Sequence, residues 1–444
     1  MELRGKLCMA GKTESARGQA AKDLLVWLET KSVGYRDRSC FDRAADYATY
    51  RHLTSSVVRH RRKLFHLIET ISARPVHKVD AEALVCLMLG LSQLESPQRR
   101  DRYAVVDETV ELLVRFKRDR LKGFVNANLR GYLRNFERYE KAIRSQPLAV
   151  RTSHPDWMVD RWTSRFGEET ARRICHANNV LPTVQIVPNP KYAERETANE
   201  LKRRGYKLEK QPFGGYRVAN PNGLFDTLPA QKGAFLVQDV SVQRIAKIVE
   251  SFPKRDVLDA CAAPGGKLFH LEWKYRDTIE SLTALELSAS RLKRLTQGKV
   301  RFGSRAKLLK MDATQPQLPG MYDLVLVDAP CSSTGTIRKH PEIKWNRQPQ
   351  DFERNRERQL EILTGISPLV KKGGHILYST CSLEREENQE VAETFLRRHG
   401  AEYEPCPIPE RGLEKRLVTE EGHYQCLPSL DEMGAFAAAF RRKP

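Results

Sequence analysis

A chain of 444 residues, 40% hydrophobic and 30% charged, is too long for one ordinary domain and reads as multidomain, soluble and globular. Its longest apolar run, Ala83 to Leu91, falls far short of the roughly 20 residues a membrane span needs, and the opening MELRGKLCMAGKTESARGQ lacks the continuous apolar stretch of a secretion signal. Nine cysteines without a CxxC pair speak against a zinc ribbon or a disulfide framework and for a reducing cytoplasm.

The formal net charge is +20, with 29 Lys+Arg against 18 Asp+Glu in residues 1–150 and 47 against 38 in the remainder. Basicity is thus spread along the chain and densest at the front. Neutralising phosphates needs many such side chains, so a nucleic-acid partner is expected.

Residues 1–148 read as helical. Asp80 is placed to cap a helix carrying Ala83, Leu84, Leu87, Met88 and Leu91, which stops near Ser96-Pro97. Val106, Val110 and Leu113 share one face of a second helix. Val125, Leu129 and Leu133 share a face of a third, after Gly123, with Arg130 and Arg134 beside them. Such stripes must cover one another, which predicts a small bundle.

From His154-Pro155 and Trp157, residues 149–235 show short runs such as Thr183–Val187 and Tyr216–Ala219 between Gly- and Pro-marked turns; this predicts a small α+β connector. Residues 236–444 alternate strand and helix. Apolar runs at Val257-Leu258, Leu282–Leu285, Leu324–Val327 and His375–Tyr378 are separated by helical stretches such as Ser288–Leu295 and Asn388–Leu396. The alternation predicts a Rossmann-like, doubly wound α/β domain with a mostly parallel sheet.

The first of these strands runs through Asp259 into Cys261, Ala262, Ala263, Pro264, Gly265, Gly266 and Lys267. A glycine turn opening a helix lets a ligand approach the backbone and offers free N–H groups. Glu286 ends the next strand, about 20 residues on, where an acid can bind ribose hydroxyls. Asp312, in KMDAT, is expected at the adenine end of the same crevice. The loop is neither GxGxxG nor GxxxxGK[ST], so a nucleoside cofactor without a pyrophosphate fits better than a dinucleotide or a nucleoside triphosphate.

Two further loops leave apolar strands: Asp328-Ala329-Pro330-Cys331-Ser332 and Ser379-Thr380-Cys381-Ser382. Both cysteines should reach the crevice at the carboxyl ends of the strands. A thiolate adding to carbon 6 of cytosine breaks aromaticity and makes carbon 5 nucleophilic toward a sulfonium methyl; Asp328 is placed to stabilise charge at N3. A free thiol has a pKa near ~8.5, so the attacking sulfur requires activation. Cys8, Cys40, Cys86, Cys175, Cys406 and Cys426 are expected to be small buried hydrophobes, and packing is the simplest role for Cys261.

DACAAPGGK (259–267), DAPCSSTGTIRKHPEIKW (328–345) and YSTCS (378–382) resemble the motifs of the RNA cytosine-5 methyltransferases of the Sun type. The resemblance implies S-adenosylmethionine as methyl donor, Cys381 as nucleophile and Cys331 as the residue promoting product release. It also implies donor contacts from 261–267, Glu286, Asp312 and Asp328. LKGFVNANLR (121–130) is similar to a NusB-like RNA-binding domain, whose position in front marks the bacterial RsmB (Fmu) subgroup acting on 16S ribosomal RNA. His154-Pro155, Trp157, Asn178-Asn179, Gln238-Asp239 and Gln243 also look like that subgroup, although Val187 stands where it usually has arginine.

The expected partner is therefore 16S ribosomal RNA, free or in early 30S assembly, with no membrane and no metal and with the chain a monomer by default. The alternatives are a transfer RNA cytosine-5 methyltransferase and a non-catalytic NusB-like binding factor. Arg338, Lys339 and Lys344 follow the first cysteine motif and are expected, with Arg130 and Arg134, to meet phosphates. Trp345 is expected either to stack on a nucleotide or to pack in the core.

Overall fold

A computed structural model describes residues 14–95, 101–409 and 413–444. Contacts divide the chain into two compact units: residues up to Val180 together with His340–Asn346, and Leu181–Lys339 together with Arg347–Pro444. Among the described residues no helix is long and apolar enough to cross a membrane.

The first unit is helical. The helix Ala81–Leu94 is buried continuously from Ala83 to Ser92, so it is the central rod of the bundle rather than a one-sided surface helix. Asp80 stands at its N-cap without a side-chain capping bond; the expected stop at Ser96-Pro97 lies outside the described residues. Around it pack the helices Arg102–Arg115 and Lys122–Arg134, burying Val106, Leu113, Val125 and Leu129, while Val110 and Leu133 are partly buried against the same core. Two further helices that the sequence pattern does not single out, Ala16–Thr30 and Ala44–Ser72, pack against it, and Phe136–Arg144, Asp156–Phe166 and Glu168–Asn179 follow in the same unit. The stripes of the first two are interrupted by buried polar side chains such as Asp23 and Arg59, which weakens the apolar period.

The second unit holds two sheets. Strands β1 (Val184–Pro188), β2 (Lys207–Lys210), β3 (Tyr216–Ala219) and β4 (Phe235–Val237) form an antiparallel sheet of order β2-β3-β1-β4. Val187 is 8% exposed within β1, where a valine suits a half-covered strand.

The larger sheet contains β5 (Asp256–Asp259), β6 (Ser281–Glu286), β7 (Lys307–Lys310), β8 (Tyr322–Asp328), β9 (Val370–Thr380), β10 (Tyr403–Cys406), β11 (Tyr424–Cys426) and β12 (Ala435–Arg442). Its order is β10-β12-β9-β8-β5-β6-β7, with β11 on β12. The five strands from β9 to β7 are parallel, and β12 closes on β9 antiparallel. Leu324 and Leu326 of β8 enter one apolar cluster and Val325 and Val327 another. A strand covered on both faces reads as an unbroken apolar run for this reason. Order reverses between β5 and β8, and the crevice beyond the strand ends at such a point is where ligands bind in doubly wound sheets.

Cys86, Cys175 and Cys426 are buried as expected. Cys406 is half-buried. Cys40 differs: it sits half-buried at the end of a single 3-10 turn, Arg38–Cys40, and is disulfide-bonded. Cys8 lies outside the described residues.

Candidate active site

The loop after β5 is tied to both neighbouring strands, by Ala260 N to Leu326 O (2.9 Å) and Ala262 N to Leu285 O (3.0 Å). Gly265 has φ +106, and a Cβ there would come within 2.3 Å of the Phe269 ring; only glycine turns the chain this tightly into the helix Gly266–Lys274. Gln238 Nε2 braces the turn by donating to Gly266 O at 3.1 Å.

Carboxylates gather at the strand ends. Asp259 is 1% exposed and accepts from Cys261 N at 3.2 Å. Burial, followed by the charge of Asp328, pushes its pKa up to about 7. Glu286 is buried and receives Ser288 N (2.7 Å) and Arg291 Nη2 (3.0 Å), both on Oε1. Asp328 binds Lys267 Nζ at 2.6 Å and Ser379 Oγ at 3.2 Å. Burial alone would depress the Lys267 ammonium, but Asp328 outweighs it and holds the pKa above that of an ordinary lysine. Asp312 accepts from Thr314 N at 2.9 Å and from Arg358 Nη2 at 3.0 Å on both oxygens. Those bonds, the Thr314 N–H first, hold it below the usual carboxylate range.

Asp259 makes stability depend on pH in a defined sense. A carboxyl group with a higher pKa folded than unfolded binds an extra proton in the folded state, so its contribution is present at low pH. It is lost as pH rises from the unfolded value near ~3.9 toward about 7. The cofactor-free protein is expected to melt at a lower temperature at pH 7.5 than at pH 5, and Asp259→Asn is expected to shrink that difference. Thermal melts of both proteins in matched ionic strength check it.

The second cluster is the cysteine pair. Cys331 Sγ and Cys381 Sγ lie 3.4 Å apart, both half-buried. The hydrogen bond from the Cys331 thiol lowers the Cys381 pKa; burial opposes this, and Ser333 and Lys267 add to the lowering. The same bond and burial raise Cys331. The contact thus favours the thiolate at Cys381 over one at Cys331. Cys261 is pushed upward, by burial first, and stays a thiol.

The loops touch closely. Gly335 N donates to Cys381 O at 2.9 Å, and a Cβ on Gly335 would sit 2.7 Å from both that oxygen and Gly434 Cα. Behind the sulfurs, Glu387 accepts from Ser332 N at 2.7 Å. It lies in the charged run Arg385-Glu386-Glu387-Asn388, a pattern that reads as solvated surface, so sequence reasoning passed over it. Asp259 and Gln238 were seen only as parts of motifs; burial and bonding mark them as site residues.

Two expected phosphate contacts are corrected. Lys344 is 1% exposed, and its ammonium donates to Arg59 O (2.7 Å) and Asn179 Oδ1 (3.1 Å) within the helical unit. Burial, then the charge of Arg59, drives its pKa well down. Arg338 is 4% exposed and donates to the carbonyls of Ser429 and Leu430. Neither head group is presented to solvent, because backbone carbonyls bind both inside the protein. Lys339 is half-buried; Arg130 and Arg134 are exposed. Trp345 is half-buried, packs against the bundle core and donates to Val58 O at 2.7 Å.

The chain is similar to known proteins along most of its length. Residues 246–441 match the family described as 16S rRNA methyltransferase RsmB/F, residues 15–134 the NusB family, and residues 154–219 the RsmF/B-like ferredoxin-like domain. The chain is 32% identical over 410 residues to the probable ribosomal RNA small subunit methyltransferase B of Bacillus subtilis, covering 88% of this chain and 89% of that one. It is 31% identical over 443 residues to ribosomal RNA small subunit methyltransferase B of Salmonella paratyphi B, covering 98% and 97%. Among solved structures, PH0851 superposes with a TM-score of 0.75 at 22% identity, over 97% of this chain and 99% of that one. A methyltransferase homolog from Pyrococcus horikoshii superposes with a TM-score of 0.56 at 25% identity, over 67% and 98%. Motif loops, helical front and relatives aligned almost end to end agree: the chain belongs to the RsmB/F family of 16S rRNA methyltransferases, which are S-adenosylmethionine-dependent enzymes, and carries a NusB-type domain ahead of its Rossmann-like one.

Proposed function

We propose that this protein methylates carbon 5 of a cytosine in 16S ribosomal RNA through a covalent adduct on Cys381, acting in the cytoplasm as a monomer. The observation that carries the reading is the 3.4 Å approach of Cys331 and Cys381 at the carboxyl ends of two neighbouring strands, where contact with Cys331 lowers the Cys381 pKa. A packing cysteine has no use for a second sulfur that stabilises its thiolate.

The acid-rich crevice suits the donor. Asp328 and Glu286 both act electrostatically on Asp259, with the Lys267 ammonium beside them, and this gathering of acids fits a ligand bearing a sulfonium and an ammonium. Glu286 Oε2 would accept from the ribose hydroxyls, the 261–267 turn would offer its backbone N–H groups, and Asp312, with Arg358 already on it, would serve the adenine end. Bound there, S-adenosylmethionine supplies an electrophilic methyl group.

The residues of the chain do the rest. The Cys381 thiolate adds to carbon 6 of the cytosine, and the ring electrons move onto carbon 5 and N3. The negative charge developing at N3 is met by a proton passed from the Lys267 ammonium through the Asp328 carboxyl, which Lys267 and Ser379 hold in place. Once carbon 5 carries the methyl group, a base takes its proton, the C5–C6 double bond re-forms and Cys381 leaves as a thiolate. The Cys331 S–H, within reach of the departing sulfur, lowers the cost of that departure. Exposed Arg130 and Arg134, with Lys339, are the proposed phosphate contacts, and residues 1–148, 149–235 and 236–444 serve as RNA-binding, connecting and catalytic parts.

Incubating the enzyme with methyl-labelled donor and 16S RNA, then bisulfite sequencing the RNA from a deletion strain, tests this. One cytosine converting only in the deletion strain is the expected result. Labelled RNA without 5-methylcytosine would overturn the carbon 5 assignment, and no label at all would favour a binding factor.

A further inference from the structure

Glu387 touches none of the reacting groups, yet its side chain is wholly buried. Four donors converge on its carboxylate. Oε1 accepts from Ser332 N at 2.7 Å and Asn355 Nδ2 at 2.8 Å, and Oε2 accepts from the hydroxyls of Ser332 and Ser382. Burial pushes its pKa up, and the bonds from Ser332 and Ser382 pull it back. Ser332 directly follows Cys331 and Ser382 directly follows Cys381, so a single carboxylate grips the residue next to each sulfur.

Glu387 is itself anchored. Tyr378 OH donates to its carbonyl at 2.5 Å, and the neighbouring Asn388 accepts from Thr380 Oγ1 (2.6 Å) and donates to Ser382 O (2.9 Å). Other bonds join the two loops farther along, such as Leu383 N to Thr334 Oγ1 at 2.9 Å. Nearer the sulfurs, Gly335 N binds Cys381 O at 2.9 Å and the Ser332 and Ser382 hydroxyls lie 3.1 Å apart, with Glu387 holding both serines at once. The Glu387 charge also acts on Cys331, where it raises the thiol pKa.

We propose that Glu387 is a positioning residue that sets the two catalytic sulfurs side by side by binding the serine after each cysteine. Its consequence for turnover rests on the reading above, in which Cys381 attacks and Cys331 assists release.

The test separates geometry from chemistry. Without RNA or donor, the full-length protein is treated with diamide, a diazene that takes up two electrons and two protons to become a hydrazine as two thiols become a disulfide. The Cys331–Cys381 link is followed by peptide mass spectrometry. Glu387→Ala is expected to slow its formation about tenfold or more, because well-placed groups lose effective concentration steeply when loosened. Glu387→Gln is expected to stay within about threefold of wild type, since its Oε1 can keep the Ser332 N–H and Asn355 while its amide N–H groups meet the two hydroxyls as acceptors. S-adenosylmethionine affinity within about twofold of wild type shows that the crevice remains folded. Should the alanine variant fail to fold, Ser382→Ala, which removes one of the four bonds, is expected to give a smaller slowing.

A Glu387→Ala protein that forms the link at the wild-type rate overturns the proposal. A second readout adds RNA and donor: Glu387→Ala is expected to accumulate a covalent RNA adduct on a denaturing gel, while Glu387→Gln turns over. Slowed disulfide formation with unchanged turnover would leave the positioning role standing and overturn the role given to Cys331.

Discussion

Cys381→Ala is expected to reduce methyl transfer about ten-thousand-fold or more, since removing a covalent nucleophile leaves only binding and orientation. The argument is electronic. Carbon 5 of cytosine does not attack a methyl group while the ring is aromatic, and the thiolate adding at carbon 6 is the group here that removes the aromaticity. Alanine supplies no electron pair. A serine at 381 is expected to do little better, because its hydroxyl is far less acidic than a thiol hydrogen-bonded by Cys331. The measurement is transfer of labelled methyl to 16S RNA under single-turnover conditions, with donor affinity determined in parallel. Unchanged donor binding with lost transfer and no adduct is the expected pattern; an active alanine variant would remove Cys381 from the chemistry.

Cys331→Ala is expected to do something different: the first step survives and release fails. With its hydrogen-bond donor gone, the departing Cys381 sulfur must carry its charge unassisted, and steady-state turnover is expected to fall about a hundredfold, the scale of a lost proton-positioning group. The species that accumulates is protein joined to RNA, visible as a band of reduced mobility on a denaturing gel and abolished in the Cys331→Ala/Cys381→Ala double variant. Addition should slow as well, because the Cys331 thiol lowers the Cys381 pKa, so the pH at which the adduct forms is expected to shift upward. Normal turnover without an adduct would refute the role given to Cys331.

Much of this architecture was legible in the residues. The runs at 257–258, 282–285, 324–327 and 375–378 all lie inside strands, because strands covered on both faces by helices leave long apolar runs. Ser288 and Asn388 stand at helix N-caps. The central bundle helix was readable for the same reason as the strands: an apolar stretch buried on all sides. The two front helices were hidden by polar residues that the bundle buries in pairs, as Arg36 with Asp23 at 2.9 Å.

Sequence by itself determined the chemistry available: two cysteines beyond two strands, a glycine turn, an acid at the end of the next strand, and a basic front. These are local signals, carried by residue type and spacing. Tertiary structure alone decided that Cys331 and Cys381, fifty positions apart in sequence, bring their sulfurs within 3.4 Å, and that Glu387 in a charged run is buried between their loops. It also decided that the cations of Lys344 and Arg338 point inward to carbonyl oxygens. Burial, hydrogen-bond partnership and pKa depend on what surrounds a side chain in three dimensions, and the pattern along the chain carries no record of that for residues outside a periodic element.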